Sequence, residues 1–319
     1  MPEPQSESLR TAASWSVPHD GRPNSNARSA FRAAYFRNVA EKLATLTLGR
    51  LIVSKLASRA RAWHAGAQVP PLTSVRTAVI AHVFYPELLV EVAECRRWLP
   101  QGTALHVTAP AERLGELTDF FANMSDVVIH EVENRGRDIA PFLQVLGSGS
   151  LDCYDAVLKL HTKRSPHLID GDIRRRLFFH ALAGSPDTIA AVLRAFETPT
   201  TGIVGWSRSY RRGDSYWHRN EHRCRELLTR MGCDGDSAEL SFLEGSMFWF
   251  RPRALDPLRQ LALSAADFEP EIGQIDGTLH HAIERLFCHA AVLANYSIVD
   301  TCGRPLAAPS ATMGHHWIE

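Results

Sequence analysis

The chain has 319 residues, with 35 Lys plus Arg against 35 Asp plus Glu, ample for one domain with additions or for two. That neutral balance argues against a generic nucleic-acid binder, which carries a basic excess. Six scattered cysteines with no CxxC pair indicate neither a zinc ribbon nor a disulfide framework, and no apolar run is long enough to span a bilayer.

In chain order, residues 1–27 are Ser- and Pro-rich, carry no signal-peptide pattern and read as a disordered tail, so the cytoplasm is the default compartment. Residues 28–71 form a basic amphipathic helical extension and linker. Arg28, Arg32, Arg37, Lys42, Arg50, Lys55, Arg59 and Arg61 stand against Glu41, with apolar residues between them. Such a stretch suits either a peripheral contact with an anionic membrane surface or a helix packed on the next domain. Residues 72–301 read as one α/β domain, and 302–319 as a C-terminal tail with little pattern. Strands are expected at Thr77 to Phe84, Ala104 to Thr108, Val127 to Val132 and Tyr154 to Leu160, with helices from Pro86, Glu112 and Ile139. Ser185-Pro186-Asp187 starts a further helix, and Gly202 to Trp206 is a strand. Regular alternation implies a mainly parallel sheet covered by helices. From Ser207 to Glu239 the order is lost, apart from a short helix near Glu221 to Met231, and the segment suits a lid or an acceptor-binding insertion. Phe242 to Arg251 reads as a strand interrupted at Gly245-Ser246, Thr278 to Phe287 as a helix, and Ala291 to Ile298 as a last strand.

Two turns concentrate the chemistry. Asn134-Arg135-Gly136-Arg137-Asp138 lies between a strand and a helix, with Asp138 a candidate N-cap and Gly136 free to take a positive φ or to approach a ligand. Arg137 there serves either an anion site or an ordinary surface ion pair with Asp138 or Glu133. His161-Thr162-Lys163-Arg164 ends the following strand. Ligands of open α/β sheets bind at the carboxyl ends of strands, so both turns are expected at one crevice, where Arg135, Arg137, His161 and Lys163 suit a diphosphate. His82, ending the first strand, either contacts a nucleotide or is a satisfied core histidine.

Glu271 and Asp276 are candidate general bases near the start of the late helix, and Asp276 reads equally as its cap. Glu284 is expected to pair internally with Arg285. His280 and His281 are adjacent on a helix and are expected to point apart, so no metal site is assigned to them. Asp170-Gly171-Asp172 and Asp234-Gly235-Asp236 are D-x-D strings, but neither directly follows a central strand. His161-Thr162-Lys163 does, and its cations can neutralise a leaving diphosphate in place of an ion.

NRGRDIAPF, YDAVLKLHTKRS, EGSMFWFRPRAL and the Gln274 to Arg285 run occur in one order within Thr77 to Ser297. Together they resemble the rhamnan synthesis protein F family, which is similar to glycosyltransferases of the GT-A type. The resemblance implies a GT-A-like fold, a nucleotide-sugar donor such as dTDP-L-rhamnose, and a saccharide acceptor on a lipid carrier. It places Asn134 to Asp138, His161 to Lys163, Glu244 to Ser246 and Asp276 to Thr278 in motifs without assigning roles, and leaves a divalent cation, Mg or Mn, possible as cofactor. Residue chemistry then assigns the donor to the two cationic turns and the acceptor to Glu244, Gly245 and Ser246. A non-catalytic saccharide-binding or assembly partner is the competing reading, because no D-x-D follows Leu160. A sugar-phosphate hydrolase lacks a clear nucleophile.

Overall fold

In a computed structural model, the described residues are 74–122, 124, 126–162 and 171–307. The basic extension, Lys163, Arg164 and Asp170 lie outside them. The described residues belong to one compact unit, Ser58–Glu319.

The central sheet has eight strands: β1 (Thr77–His82), β2 (Ala104–Pro110), β3 (Val127–Val132), β4 (Ala156–His161), β5 (Thr201–Gly205), β8 (Phe248–Phe250), β9 (Ser297–Asp300) and β10 (Pro305–Ala307), in the order β10-β9-β5-β8-β4-β1-β2-β3. The pairs β1–β2, β2–β3, β1–β4 and β5–β9 are parallel, whereas β8 runs antiparallel between β4 and β5. Every residue of β1, β4 and β5 is buried, which is why these strands read as continuous apolar runs rather than alternating ones. Strand order reverses between β1 and β4, the topological switch point of a doubly wound sheet. The architecture is a GT-A-like, Rossmann-type α/β fold. A small antiparallel pair, β6 (Tyr210–Arg212) with β7 (Ser241–Leu243), stands outside the large sheet.

Helices cover both faces, as period-two burial in a central sheet demands. On one face α1 (Leu89–Arg96), α2 (Leu114–Phe121), α4 (Gly171–Ala183) and α5 (Pro186–Glu197) pack on Val79, Ala81, Leu158 and Leu160. On the other, α3 (Ile139–Gly147), α6 (Glu221–Arg230), α7 (Asp256–Gln260), α8 (Leu279–Glu284) and α9 (Phe287–Leu293) surround Ala78, Ile80 and Val157. Ser185 caps α5 by accepting from the Thr188 amide at 3.1 Å, as its sequence position predicts.

Four local expectations are corrected. Phe242 to Arg251 is not one strand, because the Gly245-Ser246 turn carries the chain from the small sheet into the large one. The last helix is two, α8 and α9. Ala291 to Leu293 ends α9, so the strand that follows is only Ser297–Asp300. The tail supplies β10, an edge strand paired antiparallel to β9.

The turn before α3 depends on Gly136. Its φ is 63°, and a Cβ built there would lie 2.6 Å from the Ala140 Cβ and 2.6 Å from the Phe268 ring. The close approach is therefore to the protein's own core. Gly136→Ala is expected to destabilise the fold by about 2 kcal/mol or more. A chemical-denaturation midpoint equal to wild type would show that the turn relaxes freely.

Candidate active site

The site is built around a lysine inside the sheet. Lys159, in the middle of β4, has a side chain only 2 % exposed. Its Nζ donates to Asp138 Oδ2 at 2.5 Å, to the Ser246 carbonyl at 2.9 Å and to Ser246 Oγ at 2.8 Å. The Ser246 hydroxyl in turn donates to Asp138 Oδ2 at 2.9 Å, and His161 Nδ1 lies 2.9 Å from Asp138 Oδ1. The ammonium also faces the Phe142 and Phe287 rings, at 5.1 and 5.8 Å. Burial alone would raise the Asp138 pKa, but the adjacent His161 and Lys159 outweigh it and hold the carboxyl well below its ordinary range. Asp138 occupies the residue before α3, yet its side chain makes no cap there. Its N-cap assignment is corrected because the buried ammonium claims the carboxylate.

Above this hub, at the carboxyl end of β4 and the amino end of β8, lies a cleft of about 770 Å³. Arg137, Arg174, Arg175, Arg211 and Arg285 line it, with Asp138, Glu244, Asp276 and Glu284. Among the described residues, five non-glycines have a left-handed backbone, and three of them, Arg137 (φ 53°), His218 (φ 49°) and Ser246 (φ 57°), are on this lining. Each such residue costs about 1–3 kcal/mol and persists only where its surroundings impose it, a pattern concentrated at functional sites.

Of the donor-side residues expected from sequence, Arg137, Asp138 and His161 line the cleft. Asn134 is exposed, Arg135 forms an isolated bridge with Pro270, and Gly136 packs in the core; none of the three is on the lining. His82 is also off it. Its ring is buried and shares a 3.0 Å hydrogen bond with Thr108 Oγ1, which is the core-histidine alternative. Thr162 holds the switch point itself, its Oγ1 accepting from the Phe84 and Tyr85 amides, both at 3.0 Å. Arg137 braces the 270–276 loop: Nε lies 3.4 Å from Glu271 Oε2, and a terminal nitrogen donates to the Gln274 carbonyl.

Of the two candidate bases, Asp276 lines the cleft and Glu271 does not. Asp276 does not cap α8. Its carboxylate accepts from Asn220 Nδ2 at 2.6 Å and from the Arg219 amide at 3.2 Å, with Arg285 at 3.6 Å. Burial would raise its pKa, but these donors outweigh it and keep the carboxyl below its ordinary value. The amide of Leu279, first in the helix, is taken instead by Glu269 Oε2 at 2.9 Å. Glu284 is likewise not an Arg285 partner; its Oε1 accepts from the Gly245 amide at 2.7 Å and so fixes the strained turn. His280 and His281 do not point apart. Both rings reach back to the Thr278 Oγ1 just before α8, at 3.0 and 2.6 Å, and lie 4.2 Å from each other.

Glu244 is gripped by Arg174 at 2.8 Å and Arg211 at 2.6 Å. Neither arginine was singled out from sequence, nor was Lys159, although a charge inside the run AVLKLH was a visible signal. Neither D-x-D string is at β4: Asp172 pairs with Arg175, and Asp234 and Asp236 share an exposed turn. Among the described residues, no three His, Cys, Asp or Glu side chains come together to hold a metal ion.

Burial pushes the pKa of His82 down to about 4, and burial with His281 and Arg137 pushes that of His280 down to about 3. Both are neutral in the fold and charge in the unfolded chain below about pH 6.5. The unfolded state then binds more protons, so stability falls as pH drops from about 6.5 toward 4. Asp138, with its depressed pKa, adds a further loss as pH falls below the unfolded value of about 4. Tm is expected to decline from pH 6.5 downward, less steeply in His280→Asn. A Tm constant between pH 7 and 4.5 would contradict this account.

Comparison with known proteins agrees with the motifs. Over 222 residues the chain is 36% identical to the uncharacterised protein WxcX in each of two strains of Xanthomonas campestris pv. campestris. The alignment covers 67% of this chain and 31% of the relative, so the chain spans about a third of the length of the curated proteins it matches. The family profile described as rhamnan synthesis protein F matches residues 59–296. With the cleft, the motifs and six of the eight strands of the large sheet inside that span, the chain belongs to the rhamnan synthesis protein F family.

Proposed function

We propose that this chain is an inverting glycosyltransferase of polysaccharide synthesis, moving L-rhamnose from a nucleotide-sugar donor such as dTDP-L-rhamnose to a saccharide acceptor on a lipid carrier. The observation that carries the reading is the arginine-lined cleft at the carboxyl end of β4, beside the switch point of a GT-A-like sheet, in a member of a rhamnan synthesis family. In this reading Arg137 and His161, with Lys163 beyond the described residues, hold the donor diphosphate. The Arg137 and Lys163 charges neutralise the leaving group as it forms, the role a divalent ion plays elsewhere. The turn at Glu244, Gly245 and Ser246 forms the acceptor-side wall. Asp276 takes the proton of the acceptor hydroxyl as its oxygen bonds to the anomeric carbon. The bond from that carbon to the diphosphate breaks, and its electron pair leaves on the phosphate oxygen. Among the described residues no helix is long and apolar enough to cross a membrane; contact with an anionic membrane surface through residues 28–61 is part of the proposal.

A specific observation favours Glu271 as the alternative base. Its Oε1 has no hydrogen-bond partner among the described residues; Arg137 sits at 3.4 Å from the other oxygen, Oε2, while His280 Nδ1 is 3.8 Å from Oε1. With its pKa at about 3, His280 is neutral there and does not compete for that oxygen as an ion.

Arg137→Ala is expected to weaken donor binding about ten- to a hundredfold, as loss of a charge-assisted bond worth roughly 1.5–3 kcal/mol predicts. Calorimetric titration giving wild-type affinity would refute the placement. Asp276→Asn is expected to lower turnover about 10²-fold or more with donor binding nearly unchanged. Normal turnover in Asp276→Asn beside an inactive Glu271→Gln would move the role to Glu271. Full activity in both, or no transfer by wild type from any of a panel of nucleotide sugars, would favour the non-catalytic reading.

A further inference from the structure

The Glu244 carboxylate sits between two guanidinium groups from elements far apart in sequence, Arg174 of α4 and Arg211 of β6. Arg174 holds Oε1 at 2.8 Å and Arg211 holds Oε2 at 2.6 Å. All three side chains are part of the cleft lining. Arg211 is fixed independently, because its Nη1 donates to the carbonyls of Arg208 at 2.8 Å and Tyr210 at 3.2 Å. Glu244 is held through its backbone, its amide donating to the Ser209 carbonyl at 2.8 Å, while its side chain is 36% exposed. The carboxylate is thus able to swing into water without moving the main chain. Among the described residues, two cations facing one monoanion leave one positive charge unbalanced. An ordinary surface ion pair would match one for one and would not be seated in a cleft.

We infer that Arg174 and Arg211 form an anion subsite for a phosphate-type group, in which Glu244 is the resident counter-ion that the ligand displaces. Two guanidinium forks offer parallel N–H donors to two oxygens, the geometry that phosphate and carboxylate share, and a phosphate dianion carries the greater charge. Displacement returns Glu244 to water, so a half-exposed carboxylate is exchanged for a group that balances both arginines. This assigns Glu244 a different role from contact with acceptor hydroxyl groups. The inference rests on the reading of the cleft as a ligand site, but not on the transfer reaction. The phosphate belongs either to the donor diphosphate or to the group that joins an acceptor to its carrier.

The test is calorimetric titration of the full chain with inorganic pyrophosphate, with thermal melts to confirm that each variant is folded. Glu244→Gln removes the competing charge and keeps the shape, so it is expected to bind pyrophosphate about tenfold more tightly. Arg174→Ala, whose side chain is 38% exposed, and Arg211→Ala are expected to bind it about tenfold more weakly. Unchanged affinity in Glu244→Gln and Arg174→Ala would overturn the subsite, as would no binding in any variant. Weakening by Arg137→Ala alone would overturn it too, while leaving the donor-side reading intact. Weakening by Arg174→Ala and Arg211→Ala but not by Arg137→Ala would uphold the subsite and show that Arg137 is not part of it. Repeating the titration with a saturating nucleoside diphosphate separates the two sources. Loss of pyrophosphate binding assigns the subsite to the donor, and retention assigns it to a second, acceptor-borne phosphate.

Discussion

A charged lysine in the centre of a fully buried strand is the constraint on which the site depends. An ammonium cannot stay there uncompensated, since the effective desolvation penalty is several kcal/mol per ion. The compensation comes from two segments far from β4 in sequence: Asp138, before α3, and the carbonyl and hydroxyl of Ser246, before β8. Against an apolar replacement such a pair gains little net stability. What it fixes is geometry. Asp138 has to reach inward, which sets the turn that carries Arg137, and Ser246 has to present both oxygens to one ammonium, which fits its left-handed backbone. The floor of the cleft and two of its walls are thereby tied to a single nitrogen atom.

The rest of the cleft follows a different rule. Its arginines are already partnered: Arg137 with Glu271, Arg174 and Arg211 with Glu244, Arg175 with Glu91 and Asp172, and Arg285 near Asp276. A cleft of that kind is not a bare positive surface, and an anion entering it would bind by exchange. Half-exposed pairs are worth about 0–1 kcal/mol each, so exchanging them costs little, whereas the buried Arg175 pairs and the Lys159–Asp138 pair stay in place. The arrangement therefore favours ligands carrying more charge than the carboxylates they replace.

How much of this was legible in the sequence depended on whether the signal was local. The strands of the parallel core and the Ser185 cap were readable because burial on both faces and capping chemistry leave direct marks in composition. The two cationic turns were readable as turns, but only Arg137 and His161, among their described cations, reach the cleft; Arg135 is diverted into a bridge with Pro270. Arg174 and Arg211 carried no such mark. One lies in a helix, and the other lies in the stretch that looked irregular, and only the pairing of β6 with β7 brings Arg211 beside Glu244. The two late histidines were misjudged from backbone spacing alone, because both side chains turn back onto the Thr278 hydroxyl just before the helix. Asp138 was misjudged by a capping preference worth about 1 kcal/mol, which a buried ammonium easily overrides.

The two candidate bases show how the same network divides chemical roles. A carboxylate that accepts from an amide, a side-chain amide and a nearby guanidinium is ionised across the neutral range and well oriented, but each donor lowers its basicity. Asp276 is such a group, and it faces the cleft. Glu271 retains an oxygen with no hydrogen-bond partner among the described residues, which favours proton acceptance, yet it stands behind Arg137 and off the lining. Proton transfer needs reach before it needs basicity, because the base must come within about 3 Å of the hydroxyl or act through one water. On that ordering Asp276 takes precedence for as long as Arg137 keeps Glu271 turned away. A ligand phosphate that drew Arg137 to itself would release Glu271 at the moment the donor binds. Under the proposed donor placement, then, Arg137 holds Glu271 in reserve, while Asp276, held by Asn220 and the Arg219 amide, faces the cleft independently of it.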